Sequence, residues 1–488
     1  MKALASPLTD EHPTAASLGP TTIRTIESEA HGVRCHRKKQ HQRPAGILAD
    51  FKIFSISPLV QDRNIEGRTI MTSLKPAEPI SNDRREHATN KFDIISNAKS
   101  KRMTNLIAYV ALLAICITIF EPLISTLSAN AFDYVVHLRW ASEMELGQKL
   151  ILPHPLYHLL SILTKKIFLI TYAQSSTVVI VSSIFFLSVL NYKILAESVH
   201  AIIAILFSVC LLLVTPLQLF FPIDQHLYFG YIGISIYHSP TMLLLKPLSL
   251  LAFLYALKSA NSTSSNGLSS GIALAMALFF CGVSKPNFLI IVLPAFVLFL
   301  LVTHRLKPAL TSKYIYLSFF LPIFAVLGLQ FFQTFFFQDL SQATGSTESH
   351  IVVMPFETMA HYSNFLLPKF ILSIAFPLLV FLCYPRSFIQ DKAVIFSSCC
   401  LFMGLVLTYF FAESGSRMYD GNFWWSGQMG LYLVFLFSVA FLFKNTKALT
   451  KKKIDKAKYS LCLALFFSHV AFGVFFYRQE LLFNAKFW

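Results

Sequence analysis

Asp133, His137, Arg139, Glu143, Glu145, His154 and His158 crowd into the stretch from Asn130 to His158. Carboxylates and imidazoles gathered this closely can take and return protons, the work of general acid–base catalysis. If Phe132 to Leu146 is helical, Asp133 and His137 stand four residues apart and share a face. Pro153-His154-Pro155-Leu156-Tyr157-His158 then opens a second helix, with Pro155 suited to its first turn and His154 and His158 again four apart. Metal-binding histidine pairs use that spacing too, but the Glu of a His-Glu-x-x-His motif is missing; histidines that anchor a helix at lipid headgroups are the alternative. For Asp133 the alternative to a catalytic base is a carboxylate complementing a helix N-terminus.

What positions these residues follows from composition. The chain is 55% hydrophobic, 14% aromatic and 14% charged, with a mean hydropathy of +0.58, against about 25% charged residues in soluble domains. This implies an all-α, polytopic transmembrane protein. Apolar runs of about 18–24 residues, long enough to cross a hydrocarbon core, lie near 105–127, 173–195, 200–220, 241–258, 268–283, 287–303, 314–335, 363–384, 391–411, 428–443 and 458–477. About eleven crossings are expected.

Cytoplasmic loops retain Lys and Arg. Arg84, Arg85, Lys91, Lys99, Lys101 and Arg102 precede the first span, and Arg305, Lys307 and Lys313 lie between the sixth and seventh. Arg386 and Lys392 follow the eighth, and Lys444, Lys447, Lys451, Lys452, Lys453, Lys456 and Lys458 follow the tenth. The resulting topology has a cytoplasmic N-terminus, Trp488 outside, and outer loops at 128–172, 221–240, 336–362 and 412–427. Lys165 and Lys166 are exceptions on the outside, so 153–170 reads as an amphipathic helix in the interface, where lysines snorkel. Residues 1–102 read as a cytoplasmic, basic, disordered tail and 103–488 as the transmembrane domain. No cleavable leader opens the chain, so the first span is expected to be a signal anchor, with Met71 and Met103 as alternative starts. The formal charge of +16 suits anionic lipid at the cytoplasmic rim rather than nucleic acid. Cysteines fall mainly in spans, with neither a disulfide framework nor zinc spacing, and Asn261-Ser262-Thr263 lies on the cytoplasmic side, where a sequon is not used.

The later outer loops add further candidates. Asp224 to Tyr231, with Tyr237, His238 and Ser239-Pro240, offers aromatic and hydroxyl groups for a sugar or lipid phosphate, or an aromatic belt and helix start. Lys285 stands outside against the positive-inside bias and calls for an anionic partner, a lipid phosphate or a headgroup. Glu348, His350, Glu357 and His361 flank the Gln-Ala-Thr-Gly-Ser-Thr tract at 342–347, which reads as a gating loop or a plain linker. Glu413 and Arg417 begin a compact cluster in which Arg417 can grip phosphate with its planar fork. Trp424 and Trp425 read as interfacial anchors or sugar-stacking platforms.

Asp133, Ala141, Met144, Gly147, Pro153, Pro155, Leu156 and Tyr157 together resemble the first outer loop of the C-type (GT-C) glycosyltransferases, especially protein mannosyltransferases and lipid A aminoarabinose transferases. The resemblance directly covers about 25–30 residues, and the rest only through topology. It implies a GT-C-like fold with juxtamembrane helices in the first outer loop. Two departures stand out: Tyr134 occupies the second position of the usual acidic pair, and Asp133 lies farther from Ala141 than in those families. His137, Glu143 or Glu145 is left to supply the missing partner.

The activity implied is transfer of a sugar from a polyprenyl-phosphate donor to a lipid, glycan or protein acceptor outside the cytoplasm, inverting the anomeric centre. Asp133 serves as base, His137 orients it or substitutes for it, and Lys285 and Arg417 meet the departing phosphate. His154, His158, Tyr237, His238 and Glu413 complete the substrate contacts. A divalent metal is possible but not indicated. The alternatives are a polysaccharide polymerase or O-antigen ligase using a diphosphate-linked glycan, a transporter, and a noncatalytic scaffold. A transporter would more often place charge at mid-membrane, and the spans show almost none there. A bacterial inner membrane is the expected location.

Overall fold

The computed structural model describes residues 83–148, 152–261, 267–336 and 350–483. Most of the expected tail, the sequon at 262–263, the tract at 342–347 with Glu348, and Trp488 lie outside the described residues. The first helix, α1, runs from Asp83 to Asn130 and thus begins inside the stretch assigned to the tail. Among the described residues, eight helices are long and apolar enough to cross a membrane: Ser100–Asn130, Tyr172–Leu195, Pro240–Ala260, Lys313–Gln333, Leu366–Cys383, Lys392–Phe410, Trp424–Lys444 and Lys453–Phe483. The chain is an integral, multi-pass, α-helical membrane protein. The other three expected spans are apolar helices of 17 residues or fewer: Ala201–Leu213, Leu268–Ser284 and Asn287–Val302.

Between α1 and the next crossing, extended backbone at Ala131 starts α2 (Phe132–Glu145), which ends before Gly147 in the left-handed region. Helix α3 (Leu156–Phe168) buries Tyr157, His158 and Ser161. Its Leu159, Leu163 and Ile167 are exposed at four-residue spacing, as an interfacial helix requires. Lys165 and Lys166 both meet Glu145, at 2.7 and 3.6 Å, so their charge is partly neutralised. A capping box of Thr171 and Gln174 then starts α4 (Tyr172–Leu195).

Helix α5 (Ala201–Leu213) stops well short of the expected 220. The segment from 214 to 239, expected in part as an outer loop, is instead largely buried and non-helical apart from one turn at Phe221–Asp224. Such backbone persists at membrane depth only where protein groups satisfy it, and here they do. Ile232 N donates to Ser373 Oγ at 3.0 Å, Lys246 Nζ to the Ile234 carbonyl at 2.6 Å, and Gln218 Nε2 to the Leu227 carbonyl at 2.9 Å. The fully buried Lys369 pairs with Asp224 and donates to the Phe229 carbonyl at 2.8 Å. Gly230, at φ +81°, lies so close to Ser363 and Lys369 that a Cβ would come within 2.6 Å of Ser363.

Helices α6 (Pro240–Asn261), α7 (Leu268–Ser284), α8 (Asn287–Val302) and α9 (Leu321–Phe336) follow, the last preceded by a π-helical turn at Tyr316–Phe320. A short antiparallel ribbon pairs β1 (Ile351–Val353) with β2 (Phe411–Glu413), Val352 opposite Ala412. Helices α10 (Leu366–Cys383), α11 (Lys392–Phe410), α12 (Trp424–Lys444) and α13 (Lys453–Phe483) complete the bundle. The most apolar stretches of α12 and α6 are 94% and 89% buried, against 33% for α1 and 28% for α13, which puts α12 and α6 at the centre. Small residues let α11 and α12 approach closely: a Cβ on Gly404 would lie 2.5 Å from the Ser426 carbonyl oxygen, and one on Gly430 2.5 Å from the Leu401 Cα.

Candidate active site

The ends of α1, α7 and α11 and the starts of α6, α8 and α12 meet at one end of the bundle. Tyr134 Oη donates to the Tyr237 carbonyl at 2.9 Å, fixing α2 to the buried segment. Asn287 Nδ2 donates to the Asn422 carbonyl at 2.9 Å, tying α8 to the loop before α12. These bonds hold separate loops around a common centre, and Lys285 occupies it.

Lys285 sits between α7 and α8 with its ammonium 4.4 Å from the Trp425 ring centre, a cation–π contact. It makes no ion pair within 4.0 Å among the described residues. Asp133, His137, His154, His238 and Arg417 all feel or exert its charge. Desolvation pulls the Lys285 ammonium down to about 8, with Asp133 pulling it back up and Arg417 pushing it further down. Desolvation raises the Asp133 carboxyl; Lys285 lowers it and Asp420 raises it. That is the direction a carboxylate needs to become a more effective base near neutral pH.

The imidazoles are held neutral. Desolvation, reinforced by the neighbouring histidines and Lys285, keeps His137 well below its ordinary value. His154 is pushed down to about 3 by desolvation, with Lys285, His158 and Arg417 adding to it, and His238 to about 3 by desolvation and Lys285. His137 Nδ1 and His158 Nε2 lie 3.1 Å apart, so one ring donates to the other. Trp140 packs edge-on against His137 with ring centres 5.2 Å apart.

A second wall is aromatic. His238 packs against Tyr228 and Trp425, each at 5.5 Å between ring centres, and Gln428 Nε2 donates to the Tyr228 hydroxyl at 2.8 Å. Trp424 is enclosed by Tyr228, Phe229 and Tyr362. Both tryptophans are buried in protein, 6% and 7% exposed, so the expectation that they anchor in the lipid interface is corrected. Tyr237 is also buried and spends its hydroxyl on the Leu212 carbonyl at 3.1 Å, which makes it a support for the segment behind the site.

Arg417 comes within electrostatic reach of His154 and Lys285, but its Nε is already held by Glu413 at 3.1 Å and Asp420 at 3.2 Å. Glu413 also accepts from Asn422 Nδ2 at 3.0 Å. The candidates for an acidic partner of Asp133 are committed elsewhere: Glu145 to Lys165, Lys166 and Tyr172, and Glu143 to Arg139 at 3.7 Å. Of the loop expected to gate the site, the described part, 350–362, forms β1 and a short helix, and His361 stacks on Tyr419 at 3.8 Å. Among the described residues no three His, Cys, Asp or Glu side chains gather as metal ligands.

Asp133, His137, His154, His158, His238, Lys285 and Arg417, predicted from separate loops, are thus brought together. Trp425 and Tyr228, which the sequence already offered as aromatic groups of these loops, join them, as do Gln428 and Asp420, whose signal in sequence was only proximity to those loops. No family model matches the chain, and no curated protein matches it.

Proposed function

We propose that the chain is a membrane glycosyltransferase that moves a sugar from a polyprenyl-phosphate donor to a lipid, glycan or protein acceptor at the outer face of a membrane, a bacterial inner membrane fitting best. The observation that carries this reading is Lys285: an ammonium without an ion pair among the described residues, set beside a desolvated carboxylate and neutral imidazoles. A monophosphodiester donor brings one negative charge, and Lys285 supplies one positive charge to match it. A diphosphate-linked glycan would ask for more, and Arg417 already faces two carboxylates. This charge balance favours the transferase over the polymerase or ligase.

In the reaction, the acceptor oxygen attacks the anomeric carbon as the bond from that carbon to the phosphate oxygen breaks, inverting the centre. The acceptor proton passes to Asp133, with the His137–His158 pair beside it as orienting group or alternative acceptor. The electron pair of the broken bond stays on the phosphate, whose charge Lys285 stabilises. His154 and His238, being neutral, hydrogen-bond sugar or phosphate oxygens without adding charge. Trp425, buried beneath the ammonium, holds Lys285 in place at the site.

A transporter remains the second reading, favoured by the interrupted, buried backbone at 214–239 beside the buried Lys246 and Lys369. Transfer of labelled sugar from a panel of polyprenyl-monophosphate donors, using purified protein in lipid, separates the two. Asp133→Asn should lower transfer by about 10²–10⁴-fold while the protein stays folded. Silence with every monophosphate donor, alongside solute uptake by proteoliposomes, would replace the transferase with the transporter.

A further inference from the structure

Lys246 lies in α6, about 9 Å along the axis from Pro240. It is 6% exposed and lines a small cavity with Phe120, Leu211, Leu243, Ser235 and Tyr432. One of its donors goes to the Ile234 carbonyl at 2.6 Å, and the Tyr432 ring centre is 6.0 Å from its nitrogen. Tyr432 turns its own hydroxyl to Asn191 Oδ1 at 2.6 Å, and the Ser235 hydroxyl meets Tyr237. Among the described residues no carboxylate lies within ion-pair distance of Lys246.

A buried lysine with spare donors and no counter-charge is costly to keep protonated, and a bound anion offsets that cost. The cavity admits a guest the size of one or two waters, too small for a sugar or a phosphate ester. We propose that Lys246 and this cavity form a binding site for a small monovalent inorganic anion of halide size. Neither Lys285 nor the carboxylates and imidazoles around it line this cavity, and the proposal does not rest on the transferase reading. Its occupant would complete the charge of the group that holds the Ile234 carbonyl, and so help to order the buried segment.

Binding of radioactive chloride to the purified protein in lipid, without any sugar donor, tests this directly. Saturable binding that bromide displaces and gluconate does not is the expected result, with affinity at least about tenfold weaker in Lys246→Gln. Leu243→Phe, which fills the cavity from another wall, serves as the second variant should Lys246→Gln fail to fold; it too should lose binding. Absence of saturable binding to wild type would mean that water alone occupies the cavity. That result, or full binding retained in either folded variant, overturns the proposal.

Discussion

Titrating Lys285 should switch off donor binding in the alkaline range. Its ammonium is pulled down to about 8 because desolvation outweighs the attraction of Asp133. The charged fraction is then about 0.9 at pH 7 and about 0.1 at pH 9, and the apparent affinity for a ligand that needs the charged form scales with that fraction. A phosphodiester donor keeps its single charge across this range, so its dissociation constant should rise about tenfold between pH 7 and pH 9. Bound donor raises the lysine pKa, so kcat/KM, which reports the free enzyme, should bend near 8 while kcat bends higher. Lys285→Arg keeps its charge throughout and should flatten the binding profile. Calorimetric titration of a polyprenyl-phosphate sugar into protein in nanodiscs reads all of this. A wild-type profile that stays level from pH 7 to pH 9, or one equally steep in the arginine variant, would refute the assignment of the phosphate to Lys285.

Trp425→Leu removes the face over which the ammonium rests at 4.4 Å; Lys285 should then fall toward Asp133 and the alkaline bend should move upward, read from the same pH titration. Asp224→Leu leaves Lys369, whose side chain is fully buried, without its carboxylate, and should destabilise the protein by about 3–5 kcal/mol, whereas Asp224→Leu with Lys369→Met should recover most of the loss. Thermal unfolding in detergent measures both, and equal melting temperatures for the single and double variants would contradict the pairing. Gly430→Ala forces a Cβ to within 2.5 Å of the Leu401 Cα, and because backbone cannot step aside as a side chain can, it should cost about 1–3 kcal/mol by the same assay.

Helix periodicity and length made the eight long apolar helices among the described residues legible, because a run of apolar residues has few other places to go, but they overstated three shorter ones. The sequence also exposed the cluster in the first outer loop, since Asp133 and His137, and His154 and His158, carry their spacing with them. Distance information was missing. Nothing local distinguishes a thirteen-residue helix followed by buried irregular backbone from a full crossing followed by a loop, and α5 with the segment at 214–239 is the result. The signal lay in partners far along the chain: Ser373 for Ile232, Lys369 for Asp224 and Phe229, and Lys246 for Ile234. Lone lysines near the ends of apolar runs point to such partners, because a membrane helix rarely keeps a charge it does not use. Trp424 and Trp425 were misplaced for a related reason: interface and protein interior both favour tryptophan at a helix start, and only the packing of α12 at the bundle centre decides between them.

The placement of Asp133 and Lys285 carries its own chemical logic. A direct ion pair would lower the carboxylate's basicity and spend the ammonium's charge, leaving neither for a substrate. They feel each other's charge but stay beyond ion-pair distance, with Trp425 carrying the lysine. The neutral histidines add hydrogen-bonding capacity without competing for the charge of either group. An anionic ligand entering between them would meet one cation and one desolvated base, each in the state its role requires. Burial thus keeps one cation and one carboxylate of raised basicity apart, the pair that the proposed phosphate leaving group and hydroxyl nucleophile would need together.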